Sequence, residues 1–218
     1  MTRKLNFITV ITYALIAVTV AASFYAWSKP TLLSKWMMNP YSIQRDHQYY
    51  RFITSGFIHK DHMHLLFNMF SFYFFGMAIE STFAQLFPAL GGVYYVALYV
   101  LAIVASDLPS YFKHRQEPRY NSLGASGGVS AVVLAFILFY PLNDICIYFA
   151  LCAPGFIMGV LFIGFSYYQG KRSGSNINHD AHLYGALFGF VFCAVMYPAA
   201  LPHFVDQVGQ QFQRWLSL

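Results

Sequence analysis

Charge is scarce in this sequence, and acidic charge scarcest of all. Only 10% of the 218 residues are charged and eight are Asp or Glu, where a soluble domain carries about 25% charged residues. With 58% hydrophobic residues, the apolar surface is too large to hide inside one globule of 24.8 kDa. A membrane is the solvent such a chain requires. Cysteine is nearly missing as well. Cys146, Cys152 and Cys193 all lie in apolar runs and form no CxxC pair. They predict no disulfide framework and read as inert core or lipid-facing residues. Basic residues never gather into a run, which leaves a nucleic-acid partner without support. The net charge of +5 is read instead as attraction to anionic lipid headgroups. There is no internal repeat, no low-complexity stretch and no soluble domain.

What the chain does have is apolar length and aromatic rings, 23 Phe and 17 Tyr, the residues of lipid contact and interfacial belts. A spanning helix needs about 20 mostly apolar residues. Six segments are read as spans of one membrane domain, residues 1–218, at about 5–27, 62–80, 87–105, 127–141, 145–168 and 181–200. Arg3 and Lys4 precede the first segment as in a signal peptide. Its apolar stretch is longer than a signal h-region and no A-x-A-like site closes it, so it is read as a permanent span. A long polar and aromatic connection, residues 28–61, separates spans 1 and 2, and residues 202–218 suit a short amphipathic helix with Trp215 at the interface.

The fourth segment is too short, and that is informative. Gly127 to Pro141 is 15 residues, roughly 22 Å of helix against a hydrocarbon core of roughly 30 Å. With Pro141 near one surface, Ser126 falls inside the membrane at a helix N-terminus. Backbone at that depth is tolerated only against protein or a water-filled cavity, so a sunken wet pocket is expected beside Ser126.

Gly124-Ala125-Ser126-Gly127-Gly128 is a serine among small residues entering a helix. The helix start offers free N–H groups and a positive dipole end to a developing oxyanion; equally, small residues pack helices together in membranes. His182 opens the sixth segment, and Gly185 and Gly189 share its helical face. Those glycines allow close packing against the small residues of segment 4, which brings His182 to the depth of Ser126. A histidine in a membrane segment is a functional hypothesis, although His179 and Asp180 beside it also suit an interfacial position. His64 and Asn68 are one turn apart on segment 2. Aimed at one point they donate to an oxyanion; otherwise they make a helix–helix hydrogen bond. The cluster His59, His62, His64 offers metal ligands, but no HExxH or other metal signature accompanies it.

Four pieces in order resemble the rhomboid family of intramembrane serine proteases over nearly the whole chain. They are HKDHMHLLFN (the H-x4-H-x3-N of the second helix), GMAIE ending in Glu80, GASG (the G-x-S-G) and AHLYGALFG (the H-x2-G-x3-G of the sixth helix). The resemblance implies an all-α membrane protein with six transmembrane helices and a long membrane-associated first loop. It implies a serine endopeptidase that cleaves transmembrane segments with a Ser-His dyad, Ser126 as nucleophile and His182 as base. It assigns the oxyanion to the Ser126 N–H, His64 and Asn68, and structural roles to Gly124, Gly127, Gly185, Gly189 and His59. It implies single-span membrane proteins as substrates, with helix-weakening residues and a small residue before the cut, and no metal or other cofactor. Tyr50-Arg51 stands where many members have Trp-Arg. The alternative within the family is a non-proteolytic protein that binds membrane clients.

Two departures and one conflict accompany the resemblance. Ser130 stands where many bacterial members have a tyrosine stacked on the catalytic histidine, which leaves Tyr184 or Phe188 to restrain His182. Glu80 is not followed by the family's arginine. Loops 1, 3 and 5 hold Lys29, Lys35, Arg45, Arg51, Lys60, Lys113, Arg115, Arg119, Lys171 and Arg172, against Arg3, Lys4 and Arg214 on the other side. The positive-inside rule puts those loops in the cytoplasm, whereas the usual bacterial rhomboid orientation, kept here as the expectation, puts them outside. The compact form with no visible targeting peptide points to a multi-pass protein of a bacterial inner membrane.

Overall fold

The computed structural model describes residues 10–147, 151–172 and 178–217. It is built from ten helices and one hairpin among those residues: α1 (Val10–Ser28), α2 (Pro30–Trp36), α3 (Pro40–Asp46), α4 (Arg51–Thr54), α5 (His62–Leu86), α6 (Gly91–His114), α7 (Ser126–Phe139), β1 (Asp144–Ile147), β2 (Leu151–Pro154), α8 (Gly155–Gly170), α9 (His179–Met196) and α10 (Ala200–Leu216). Three of them, α1, α6 and α9, are long and apolar enough to cross a membrane by length and composition.

Helix boundaries follow from local chemistry. The Asp61 carboxylate accepts the His64 N–H at 2.8 Å and starts α5. The Asn178 side chain does the same for Ala181 at 3.1 Å and starts α9. Prolines at the first turn open α2 and α3, where the missing N–H costs nothing.

The short helix α7 is the centre of the bundle, packed between α5, α6 and α9. Small residues bring its neighbours in. A Cβ at Gly185 would run into the Gly127 carbonyl oxygen, and one at Gly189 into that of Ala131. Large rings then fill the remaining space, with Tyr95, Tyr99, Phe72 and Phe83 fully buried. The outward faces stay apolar, as at Val18 and Phe24 on α1, Phe67 and Phe74 on α5, and Val191 and Val195 on α9.

Several sequence expectations shift. The long polar and aromatic connection at residues 28–61 contains α2, α3, α4 and a 3-10 turn, Ser55–Phe57. Span 2 continues to Leu86, and span 3 is displaced to Gly91–His114 with Pro109 inside it. Residues 1–9 lie outside the described residues, so the first span is seen only from Val10. The fifth segment is the largest correction. Residues 144–147 and 151–154 pair as antiparallel strands, and the helix begins only at Gly155. Cys146 pairs with Cys152 across that hairpin and the two are joined by a disulfide. The expectation of three inert cysteines therefore fails for these two, because a cross-strand pair meets where residues six apart on a helix would diverge. Cys193 is free and buried.

The C-terminal helix α10 follows the amphipathic expectation. Its Phe212 and Trp215 rings pack on Phe156 at the start of α8, with centroids 5.7 Å and 6.0 Å away.

Candidate active site

The first loop moulds the turn that presents Ser126. Arg51 is buried and donates to the Ser34 and Met37 carbonyls at 2.9 Å and 2.7 Å, fixing α2 against α4. Met38 then exchanges two backbone hydrogen bonds with Ser122, at 2.9 Å and 3.0 Å. The Gly124 N–H donates to the Ser55 carbonyl at 2.9 Å, and the Ala125 N–H to His59 Nε2 at 3.3 Å. Gly124 has φ of 124°, and a Cβ there would lie 2.5 Å from His64 Cε1, so only glycine suits both the turn and its neighbour. With the donors of Gly124 and Ala125 taken, the Ser126 N–H at the start of α7 is free of any intrahelical partner.

His59 is held at both nitrogens. A backbone N–H can only donate, so Nε2 is the bare nitrogen and Nδ1 carries the hydrogen toward Ser23 Oγ at 3.1 Å. The Ser23 hydroxyl in turn donates to the Phe57 carbonyl at 3.3 Å. Burial, with the neighbouring His64 adding to it, pushes the His59 pKa down to about 3. His62 points elsewhere, its ring against Trp27 at 4.4 Å. Among the described residues no three His, Cys, Asp or Glu side chains converge as a metal site.

One cavity of about 290 Å³ brings together Ser126, His182, His64 and Asn68, with Phe67, Ser71, Val129, Ser130, Val133 and Phe162 completing its lining. Ser126 is the first residue of α7, and His182 lies in the first turn of α9. The glycine contacts between these helices set both side chains at one level of the bundle. No hydrogen bond joins the Ser126 hydroxyl to the His182 ring among the described residues, a geometry common in unliganded sites that tighten with substrate. Asn68 spends one amide hydrogen on the His64 carbonyl at 2.9 Å and retains a second. His64 stands over Gly124, its ring edge-on to His59 at 5.0 Å.

The ring beside His182 is neither Tyr184 nor Phe188. Phe162 of α8 lies nearly parallel to it, and His179 lies edge-on at 5.8 Å. Tyr184 is exposed, and Phe188 packs on Phe192 at 5.7 Å. Helix periodicity offered no signal for Phe162, which arrives from a different helix. Asp107 was also missed. It is buried on α6 and accepts the Ser55 hydroxyl at 3.1 Å. The pair lines a small polar recess behind Ser126 of about 10 Å³, shared with Ser106, Ser122 and Asn178. A carboxylate inside an apolar span was the available signal.

A second cavity, of about 730 Å³ and almost wholly apolar, lies between α5 and α8. It shares Phe67, Ser71, Val133 and Phe162 with the Ser126 cavity, so the two are contiguous.

A family model described as a Rhomboid domain matches residues 46–199. The sequence is 32% identical over 164 residues to RHOMBOID-like protein 12, mitochondrial, of Arabidopsis thaliana, a match over 70% of this chain and 49% of that protein. It is 26% identical over 150 residues to Rhomboid protease GlpG of Haemophilus influenzae, over 68% of this chain and 70% of that one. The chain thus spans about half the length of the plant relative.

Proposed function

This chain belongs to the rhomboid family, and we propose that it is an intramembrane serine endopeptidase that cuts transmembrane segments with a Ser126–His182 dyad. It is an integral membrane protein of that family, and the domain is read as one unit with α1, α5, α6, α7, α8 and α9 as its six spans. The observation that carries the proposal is the single cavity shared by Ser126, His182, His64 and Asn68.

In this reading the Ser126 Oγ attacks a scissile carbonyl while His182 takes its proton. The oxyanion is met by the Ser126 N–H, the His64 ring and the second Asn68 amide hydrogen. His182 then protonates the leaving amine, and water entering from the same cavity hydrolyses the acyl-enzyme. Gly127 and Gly185 hold the two helices at contact, while Gly124 and His59 shape the turn before the serine.

The apolar cavity between α5 and α8 supports a membrane-embedded substrate. A single-span segment entering there meets Phe67 and Phe162 before it reaches Ser126. An intact helix hides its own carbonyls, so substrates with helix-weakening residues near the cut, and a small residue before it, suit this site.

The test is cleavage of a single-span model substrate in liposomes by wild type, Ser126→Ala and His182→Ala. Both variants are expected to lose cleavage while remaining folded. Unchanged cleavage by Ser126→Ala sinks the proposal. A client-binding protein without catalysis is the reading left if wild type binds the substrate but never cuts it or labels with a serine-directed probe.

A further inference from the structure

Asp107 is a carboxylate within an apolar span, and the mechanism above gives it no task. It is buried on α6 and does not line the cavity that holds His182, so it is not a third, acidic member of the dyad. An ionisable side chain within such a span marks a functional position together with its partner. Here the partner is Ser55, whose hydroxyl donates to Asp107 Oδ2 at 3.1 Å. Ser55 opens the 3-10 turn of the first loop, and its carbonyl accepts the Gly124 N–H at 2.9 Å. Gly124 bends the chain two residues before Ser126. A chain of hydrogen bonds thus runs from Asp107 through Ser55 to the turn that presents the nucleophile. Asp107 and Ser126 also line the same small recess.

The 3-10 turn lies flat on α6. A Cβ at Gly56 would stand 2.6 Å from Ile103 Cγ2, one helical turn before Asp107. Apolar contact is non-directional: it sets the separation of turn and helix but not their register. A directional hydrogen bond sets the register, and the Ser55–Asp107 bond is placed to do so. The same face of α6 is tied to the base. Residues 107 and 110 are neighbours on that face. Ser110 accepts from the Asn178 side chain at 3.0 Å, and Asn178 caps α9, whose first turn carries His182. Fixing Ser55 on α6 therefore fixes the Ser126 turn relative to His182.

We propose that Asp107 is a positioning residue of the Ser126–His182 site, acting through its hydrogen bond to Ser55. That bond holds the turn before Ser126 in register with the helix that carries His182. The kinetic consequence rests on the proposed protease function; the ordering of the turn does not.

The test compares the whole chain in liposomes as wild type, Asp107→Ala, Asp107→Asn, Ser55→Ala and the double variant Asp107→Ala/Ser55→Ala, on a single-span substrate. Ser55→Ala keeps the carbonyl that holds Gly124 but frees the turn from α6. Each single alanine variant is expected to lower kcat by about ten- to a hundredfold with KM nearly constant, the range for a displaced reacting group. The double variant is expected to lose no more than either single one, since all three remove one and the same bond. Asp107→Asn keeps an acceptor for the Ser55 hydroxyl and is expected to keep most of kcat. Hydrogen exchange of residues 122–126 is expected to speed up in the alanine variants only. Unchanged kcat in Ser55→Ala, additive losses in the double variant, or an equal loss in Asp107→Asn overturns the inference. If Asp107→Ala does not fold, Ser55→Ala and Asp107→Asn decide it. If the wild type cleaves nothing, the proposed function falls and hydrogen exchange decides this inference alone: faster exchange in Ser55→Ala upholds it, and unchanged exchange overturns it.

Discussion

The Phe162 ring of α8 lies 20° from parallel to the His182 imidazole, with centroids 6.2 Å apart. The same ring lines both the Ser126 cavity and the apolar cavity beside it. One side chain thus borders both cavities and the face of the proposed base.

Removing that ring should loosen His182 without touching its chemistry. Phe162→Ala is expected to lower kcat by about ten- to a hundredfold, the range for a misplaced catalytic group, with a smaller change in KM. Phe162→Tyr keeps the ring and should keep most of kcat. Steady-state kinetics in liposomes separate the two, and equal losses from both variants would count against a positioning role.

His64 and Asn68 are expected to act in the transition state rather than in binding. Each alanine variant should cost about 10²- to 10³-fold in kcat, the usual effect of removing one oxyanion donor, with KM nearly constant. A rise in KM at unchanged kcat would instead assign these side chains to substrate binding.

Gly185 has no room to grow. Gly185→Ala forces a methyl group into the Gly127 carbonyl, and the two helices must part. Overpacking of this kind costs about 1–3 kcal/mol, and here it also separates Ser126 from His182. Thermal unfolding in detergent should fall together with cleavage. Gly164, which has open space around it, supplies the control: Gly164→Ala should change neither.

Glu80 caps a helix from 68 residues away. Its carboxylate accepts the Ile11 N–H at 2.9 Å, the Thr12 N–H at 2.8 Å and the Thr12 hydroxyl at 2.6 Å. The Thr12 hydroxyl in turn meets the Tyr95 hydroxyl at 2.8 Å. Glu80→Ala strands these buried donors, at about 1–3 kcal/mol for an unsatisfied group. Unfolding of α1 from the bundle should become easier by at least that much, and proteolysis between α1 and α2 should report it. Glu80→Gln should fall between the two.

The His59 pKa, pushed down to about 3 by burial, has a pH signature. The native state holds the ring neutral, whereas the unfolded chain protonates it near pH 6.5. Between those values the unfolded state binds more protons, so stability rises with pH. The contribution is complete above about pH 6.5 and is lost as the pH falls toward 3. Melting temperatures across pH 4 to 8 should therefore slope upward, and more gently in His59→Gln. An unchanged slope in that variant would remove His59 as its source.

The sequence by itself determined whatever depends on length, composition and spacing. Too little charge and too much apolar surface made the membrane the solvent. The 15 residues from Gly127 to Pro141 led to the expectation of Ser126 at a helix start below the surface, because 1.5 Å per residue cannot span the hydrocarbon core, and Ser126 is the first residue of α7. Glycines at 185 and 189 announced close packing, because their spacing is helical. Only the tertiary structure decided what depends on which distant residues meet. Periodicity cannot separate a short apolar strand from the start of a helix, so the strand pair at residues 144–147 and 151–154 and its disulfide were invisible in an apolar run. Phe162 reached His182 from another helix, and Glu80 reached Thr12 across the bundle. Nothing local in the chain encodes such pairings, since they exist only once α7 has drawn its neighbours into contact.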